Sequence, residues 1–128
     1  MTAVEGADGK GSVYSVHNAS GDLEVLVRKL PIPDNEPPER ATVYLTSAKN
    51  DTIRAGGGQE VSTASISLAG KYPGREFAAN IERPRPVVLR ARLYLVGKRL
   101  YHVMVRGTQE FANAPAATAF LDSFTVTE

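Results

Sequence analysis

The segment Leu89-Arg-Ala-Arg-Leu-Tyr-Leu-Val-Gly-Lys-Arg-Leu-Tyr-His-Val-Met-Val-Arg-Gly107 reads as a β-hairpin almost residue by residue. Gly97-Lys98 suits a two-residue turn of the primed class, because glycine at the first turn position takes φ > 0 without a Cβ clash. A fixed turn fixes the register. Val96 then faces Arg99, Leu95 faces Leu100, Tyr94 faces Tyr101, Leu93 faces His102, Arg92 faces Val103 and Ala91 faces Met104. Side chains alternate along a strand, so one face carries Leu89, Ala91, Leu93, Leu95, Leu100, His102 and Met104. The other carries Arg90, Arg92, Tyr94, Val96, Arg99, Tyr101, Val103 and Val105. The first face is expected to pack on a core; the second is expected to be only partly covered.

An isolated hairpin is marginal in water, so it needs further strands or helices. Ser12–His17 and Leu23–Leu30 read as a second hairpin around the turn-rich Asn18–Asp22, and Pro31 and Pro33 stop its outgoing strand. Glu36-Pro-Pro-Glu-Arg opens a helix, with Ala41, Tyr44, Leu45, Ala48 and Thr52 at helical spacing until Gly56-Gly-Gly58. The β-branched Thr42, Val43 and Thr46 also fit a strand over Ala41–Ser47, and both readings stand at this point. Val61–Leu68 alternates as a half-buried strand whose apolar face is Ala64, Ile66 and Leu68.

Tyr72-Pro-Gly-Arg75 carries the signature of a type II turn, with a strand over Glu76–Ile81 after it. Arg83-Pro-Arg-Pro86 then forms an extended loop. Asn113 as N-cap and Pro115 in the first turn open a last helix, whose stripe is Ala117, Phe120, Leu121 and Phe124. Thr125–Thr127 is expected to end in a short strand. The pattern predicts an α+β fold: an antiparallel β-sheet of five to seven strands flanked by two helices. Residues 1–11 are expected to be a flexible lead, and residues 12–128 a single domain.

Charge is distributed unevenly along this framework. Between Lys71 and Arg106 nine basic residues stand against Glu76 and Glu82, a net of +7 within a chain whose total is +1. Two readings follow. The basic strands bind a polyanion, or their arginines lie across the tyrosines and pair with acids on the Glu36–Arg54 helix. The chain has no cysteine, which removes disulfides, thiolate metal sites and a cysteine nucleophile. No apolar run is long enough for a membrane helix, and the first residues show no signal peptide, so the compartment stays unassigned.

Catalytic chemistry has no motif here. His17 and His102 are the two histidines; neither has a local partner set for a metal, and His102 faces Leu93 in the hairpin register. No Gly-x-Ser-x-Gly elbow occurs, and Asp122 has no acidic partner in the predicted elements. No catalytic residue, metal ligand or cofactor is therefore expected. The candidate binding face is Arg90, Arg92, Tyr94, Arg99 and Tyr101.

Tyr72-Pro-Gly-Arg-Glu-Phe77, Leu89-Arg-Ala-Arg-Leu-Tyr-Leu-Val-Gly97 and Phe120-Leu-Asp-Ser-Phe124 resemble motifs of small bacterial proteins of unassigned function similar to the PsbP-like α/β domain. The resemblance covers the C-terminal half; an opening Phe-x-Val-x-Phe-Pro strand is missing. It implies an α/β/α sandwich, complete or short of its opening strand, that acts through its surfaces. The expected role is thus a non-enzymatic accessory or binding domain with a protein or ligand partner. Polyanion or nucleic-acid binding through the hairpin face is the alternative, and a small hydrolase the second.

Overall fold

A computed structural model describes residues 2–3, 10–17, 19–82 and 85–126, with side chains at 15–17, 19–82 and 85–125. In chain order the elements are β1 (Thr2–Ala3), β2 (Lys10–His17), β3 (Gly21–Lys29), a 3-10 turn (Pro38–Arg40), α1 (Ala41–Ala55), β4 (Gln59–Leu68), β5 (Tyr72–Ile81), β6 (Val87–Val96), β7 (Arg99–Gly107), α2 (Gln109–Ala112), α3 (Pro115–Asp122) and β8 (Thr125–Val126). β2-β3-β7-β6-β5-β4 form one six-stranded sheet, antiparallel at every step, while β1 and β8 make a separate parallel pair. The fold is α+β.

The β6–β7 hairpin has the register its turn dictates, with Val96 opposite Arg99 and Ala91 opposite Met104. Gly97 has φ of 61°, the positive value that glycine supplies there. β7 also pairs with β3, so β3 and β6, far apart in the chain, flank it and the first hairpin joins the sheet through its second strand. Strand β2 begins at Lys10, two residues before the expected start. Thr2 and Ala3 pair with Thr125 and Val126, so with Lys10 and Gly11 in β2 these parts of the expected flexible lead are strand; residues 1 and 4–9 lie outside the described residues, as do Arg83 and Pro84.

One open choice is settled for the helix, and two local expectations are corrected. Ala41–Ser47 is helical, not strand: α1 runs from Ala41 to Ala55 and buries Leu45, Ala48 and Ile53, a stripe that a strand could not align. The type II turn at Tyr72–Arg75 does not form. Those residues already lie in β5, and the reversal falls at Ala69 and Gly70, both with positive φ (55° and 65°), closed by Lys71 N–H donating to the Leu68 carbonyl. Gly74 serves close packing instead. A Cβ there would sit 2.6 Å from Cδ1 of Tyr94, its cross-strand partner. Finally, Asn113 is not the cap of the last helix. It ends α2, whose first turn is capped by Thr108 Oγ1 accepting from Phe111 N–H, and α3 starts after Ala114 with Pro115 at its first position.

The core lies in two layers. On one face of the sheet Leu45, Ala48 and Ile53 of α1 pack on Phe77, Ala79, Leu89, Ala91 and Leu93. On the other, Ala117, Phe120, Leu121 and Phe124 pack on Val25, Val27, Tyr94, Tyr101, Val103 and Val105. α1 is pinned toward β4 by the ion pair of Lys49, 8% exposed, with Glu60.

Candidate functional site

The five residues of the predicted binding face do not form an open surface. Tyr101 is fully buried and Tyr94 4% exposed, because the C-terminal helices lie over them. Phe124 stacks on the Tyr94 ring at 5.6 Å, with an interplanar angle of 2°, and tilts against Tyr101 at 5.4 Å. Arg90 donates to the Ala112 carbonyl (2.9 Å) and to Thr118 Oγ1 (3.0 Å). Arg92 bridges Glu76 and Asp122, both at 2.7 Å. Burial opposes the charge of Arg92, but hydrogen bonds to Glu76 and Asp122 outweigh it and hold the guanidinium above its ordinary pKa. Arg99 sits at the hairpin end, between Val96 and Lys29 in the register and partly exposed.

Of these arginines Arg92 does pair with acids, yet those acids are on β5 and α3. The Glu36–Arg54 helix packs on the opposite face of the sheet, out of their reach.

That opposite face contains the candidate site. A cleft of about 870 Å³ opens where α1 stops short of β3 and β7. Its floor is the sheet face formed by Leu26 and Arg28 of β3 with His102, Met104 and Arg106 of β7. Its wall is α1, through Ala48, Asp51, Thr52 and Ala55, and its rim is Arg85-Pro-Val87. Residues at spacings of three and four share one helix face, so Ala48, Thr52 and Ala55 form a stripe of small side chains. The Thr52 hydroxyl donates to the Ala48 carbonyl (2.9 Å) and so projects little further. The bulky Leu45 and Ile53 join the core instead. A helix with small residues on one flank and large ones on the other fills one half of the sheet and leaves the adjoining half open.

Charge in the cleft is uneven. Asp22 contacts His17, and Asp51 contacts Arg54 at 3.1 Å. Arg106 approaches Glu24 at 4.0 Å. Arg28 differs: its Nε is shielded from water and has no hydrogen-bond partner among the described residues. His102, expected to face Leu93, does so, and lies between Leu93 and Leu26 on the cleft floor.

A second cluster sits at the cleft's outer end. Ser15 Oγ lies 2.7 Å from His17 Nε2, and His17 Nδ1 lies 2.9 Å from Asp22 Oδ1. This is the connectivity of a Ser-His-Asp array, brought together because Ser15 and His17 share one face of edge strand β2 and Asp22 is the cross-strand partner of His17. Sequence reading missed it, although the spacing Ser-x-His across a tight hairpin from Asp is a visible signal. Two properties weigh against catalysis. Ser15 lies within a strand and not on a strained elbow, and the His17 side chain is 66% exposed, so solvent competes for every bond in the array. Among the described residues no group of three or more His, Asp or Glu could hold a metal, and no helix is long and apolar enough to cross a membrane.

No family model matches the chain, and no curated protein does. Solved structures match its shape. Among them is PA94 of Pseudomonas aeruginosa, a protein of unknown function described as a candidate regulator, with a TM-score of 0.65 over 96% of this chain and 86% of that one. Sequence identity is 8%, so the likeness is one of fold alone.

Proposed function

We propose that this protein is a non-enzymatic binding module that holds a small, largely apolar ligand in the cleft between α1 and strands β3 and β7. The observation that carries this reading is the half-covered sheet face, which leaves a half-open cleft of about 870 Å³, within the range of small-molecule sites. Support also comes from the motif resemblance to the PsbP-like group, whose members act through surfaces and not through a shared catalytic centre. The polyanion reading loses its stacking platform, since Tyr94 and Tyr101 are under Phe124.

The test is titration with a neutral fluorescent amphiphile, N-phenylnaphthylamine, against the natively folded protein. Saturable uptake is expected, and Thr52→Phe, which projects a ring from α1 into the cleft, should abolish it with the circular dichroism unchanged. Absence of saturable uptake by the folded wild type, or equal uptake by the folded variant, would remove the cleft as the binding site.

A further inference from the structure

We propose that the cleft's ligand is an amphipathic anion whose carboxylate or phosphate head seats on Arg28, with its apolar body along the β3–β7 floor. This rests on the cleft reading above and names the ligand class for it. Three observations converge on it.

The first is the state of Arg28. A dehydrated Nε without an acceptor is costly, and such groups are normally satisfied. Glu24 is the nearest acid on the same face of β3, four residues away, a separation of about 13 Å at the rise of a strand. That exceeds the screening length of about 8 Å at physiological salt, so Glu24 does not supply the missing anion; it lies beside Arg106. Asp34, beyond the end of β3, is taken by Lys98.

The second is polarity along the trough. In the register Arg28 is level with Leu100, Leu26 with His102, Glu24 with Met104 and Asp22 with Arg106. Arg28 and Arg106 therefore mark two ends about 20 Å apart by strand rise. At the Arg106 end, Arg106 and the rim residue Arg85 stand against Glu24 and Asp22, whereas Arg28 has His102 one step along the floor and no ion-paired acid among the described residues; Asp51 of α1, also in the lining, is paired with Arg54. An anion is therefore drawn more strongly to the Arg28 end than to the balanced one.

The third is the middle of the trough. Leu26, Met104 and Leu89 below, Ala48 above and Val87 at the rim offer apolar surface to a chain and no uncommitted acid. Arginine accepts carboxylate and phosphate through the same planar fork, so the two heads share one chemistry.

The experiment compares dodecanoate, dodecyl phosphate, dodecanol and inorganic phosphate by calorimetry and thermal shift, on wild type and on Arg28→Gln. Dodecanoate and dodecyl phosphate should bind wild type at least tenfold more tightly than dodecanol, and the stronger of the two identifies the head. Inorganic phosphate alone should bind far more weakly, for want of the apolar body. Arg28→Gln should lose that preference while keeping its dodecanol affinity, which also shows that the variant is folded. Equal binding of dodecanol and the anions, anion binding indifferent to Arg28→Gln, or inorganic phosphate as tight as dodecyl phosphate, would overturn the ligand class and leave the cleft standing. Failure of all the dodecyl probes on folded protein would overturn the cleft reading itself.

Discussion

The two faces of the sheet are built from the same strands and are covered in opposite ways. On one, the 8-residue α3 and the Phe124 that follows it cover Tyr94, Tyr101, Val103 and Val105 almost completely. On the other, the 15-residue α1 leaves a cleft. Helix length does not decide which face is sealed; side-chain size does. Phe120, Leu121 and Phe124 carry bulk toward the sheet along one stripe. Ala48, Thr52 and Ala55 turn small side chains toward β3 and β7. Arg90 and Arg92 on the sealed face are satisfied by a carbonyl, a hydroxyl and two carboxylates, while Arg28 on the open face keeps an unanswered donor. Sealed surface serves stability, and open surface is available for binding.

Truncation should expose the largest difference. Phe124→Ala removes a ring stacked on Tyr94 and tilted on Tyr101, and should cost about 3–5 kcal/mol. Leu26→Ala, on the cleft floor and already partly solvated, should cost less than about 1.5 kcal/mol. Denaturant melts of the two variants measure this directly. Equal losses would mean that the cleft is packed as tightly as the sealed layer.

Gly74 sharpens the same contrast at the level of one methyl group. Gly74→Ala meets the Tyr94 ring at 2.6 Å and the Leu93 carbonyl at 2.7 Å, so it should destabilise by about 1–3 kcal/mol. A melt showing no change would indicate that the Tyr94–Phe124 stack can slide, and that this layer is less rigid than its burial implies.

A smaller effect appears at high pH. Burial raises the pKa of Tyr94 above its ordinary value, with Arg92 pulling it back only in part. The unfolded chain therefore releases this proton first. Stability contributed by the neutral phenol is complete below the ordinary tyrosine range, about pH 10, and falls as pH rises through and beyond it. Absorbance titration should show a late tyrosine fraction that includes Tyr94 and Tyr44, whose pKa is also raised by burial and by Glu36. In Tyr94→Phe the late amplitude should fall by one tyrosine. An unchanged late amplitude would remove Tyr94 from it.

Much of the fold was legible because it is written at short range. The Gly97-Lys98 turn sets the hairpin register, and the spacing of Ala117, Phe120, Leu121 and Phe124 sets the buried stripe of the last helix. The turn before β5 was misplaced for an equally local reason. Pro73-Gly74 carries turn chemistry, but the alternating contacts of Phe77, Ala79 and Ile81 extend the strand back to Tyr72, and Gly74 is needed as a gap for Tyr94. The Ser15–His17–Asp22 array was within reach of the hairpin pattern, since only the pairing of His17 with Asp22 separated it from notice.

The chain by itself determined which side of each element is apolar and how neighbouring strands align. It did not determine which helix covers which face. Burial of apolar surface is non-directional, so the Arg90/Arg92/Tyr94/Tyr101 face could have been left open with equal propriety by its pattern alone. Tertiary structure decided that α2 and α3 lie over it, supplying Asp122 to Arg92 across thirty positions of sequence. It also decided that α1 settles on the far half of the other face. The hairpin first read as a binding surface is thereby the sealed half of the molecule, and its opposite side, with Arg28 beside it, is the half left to receive a ligand.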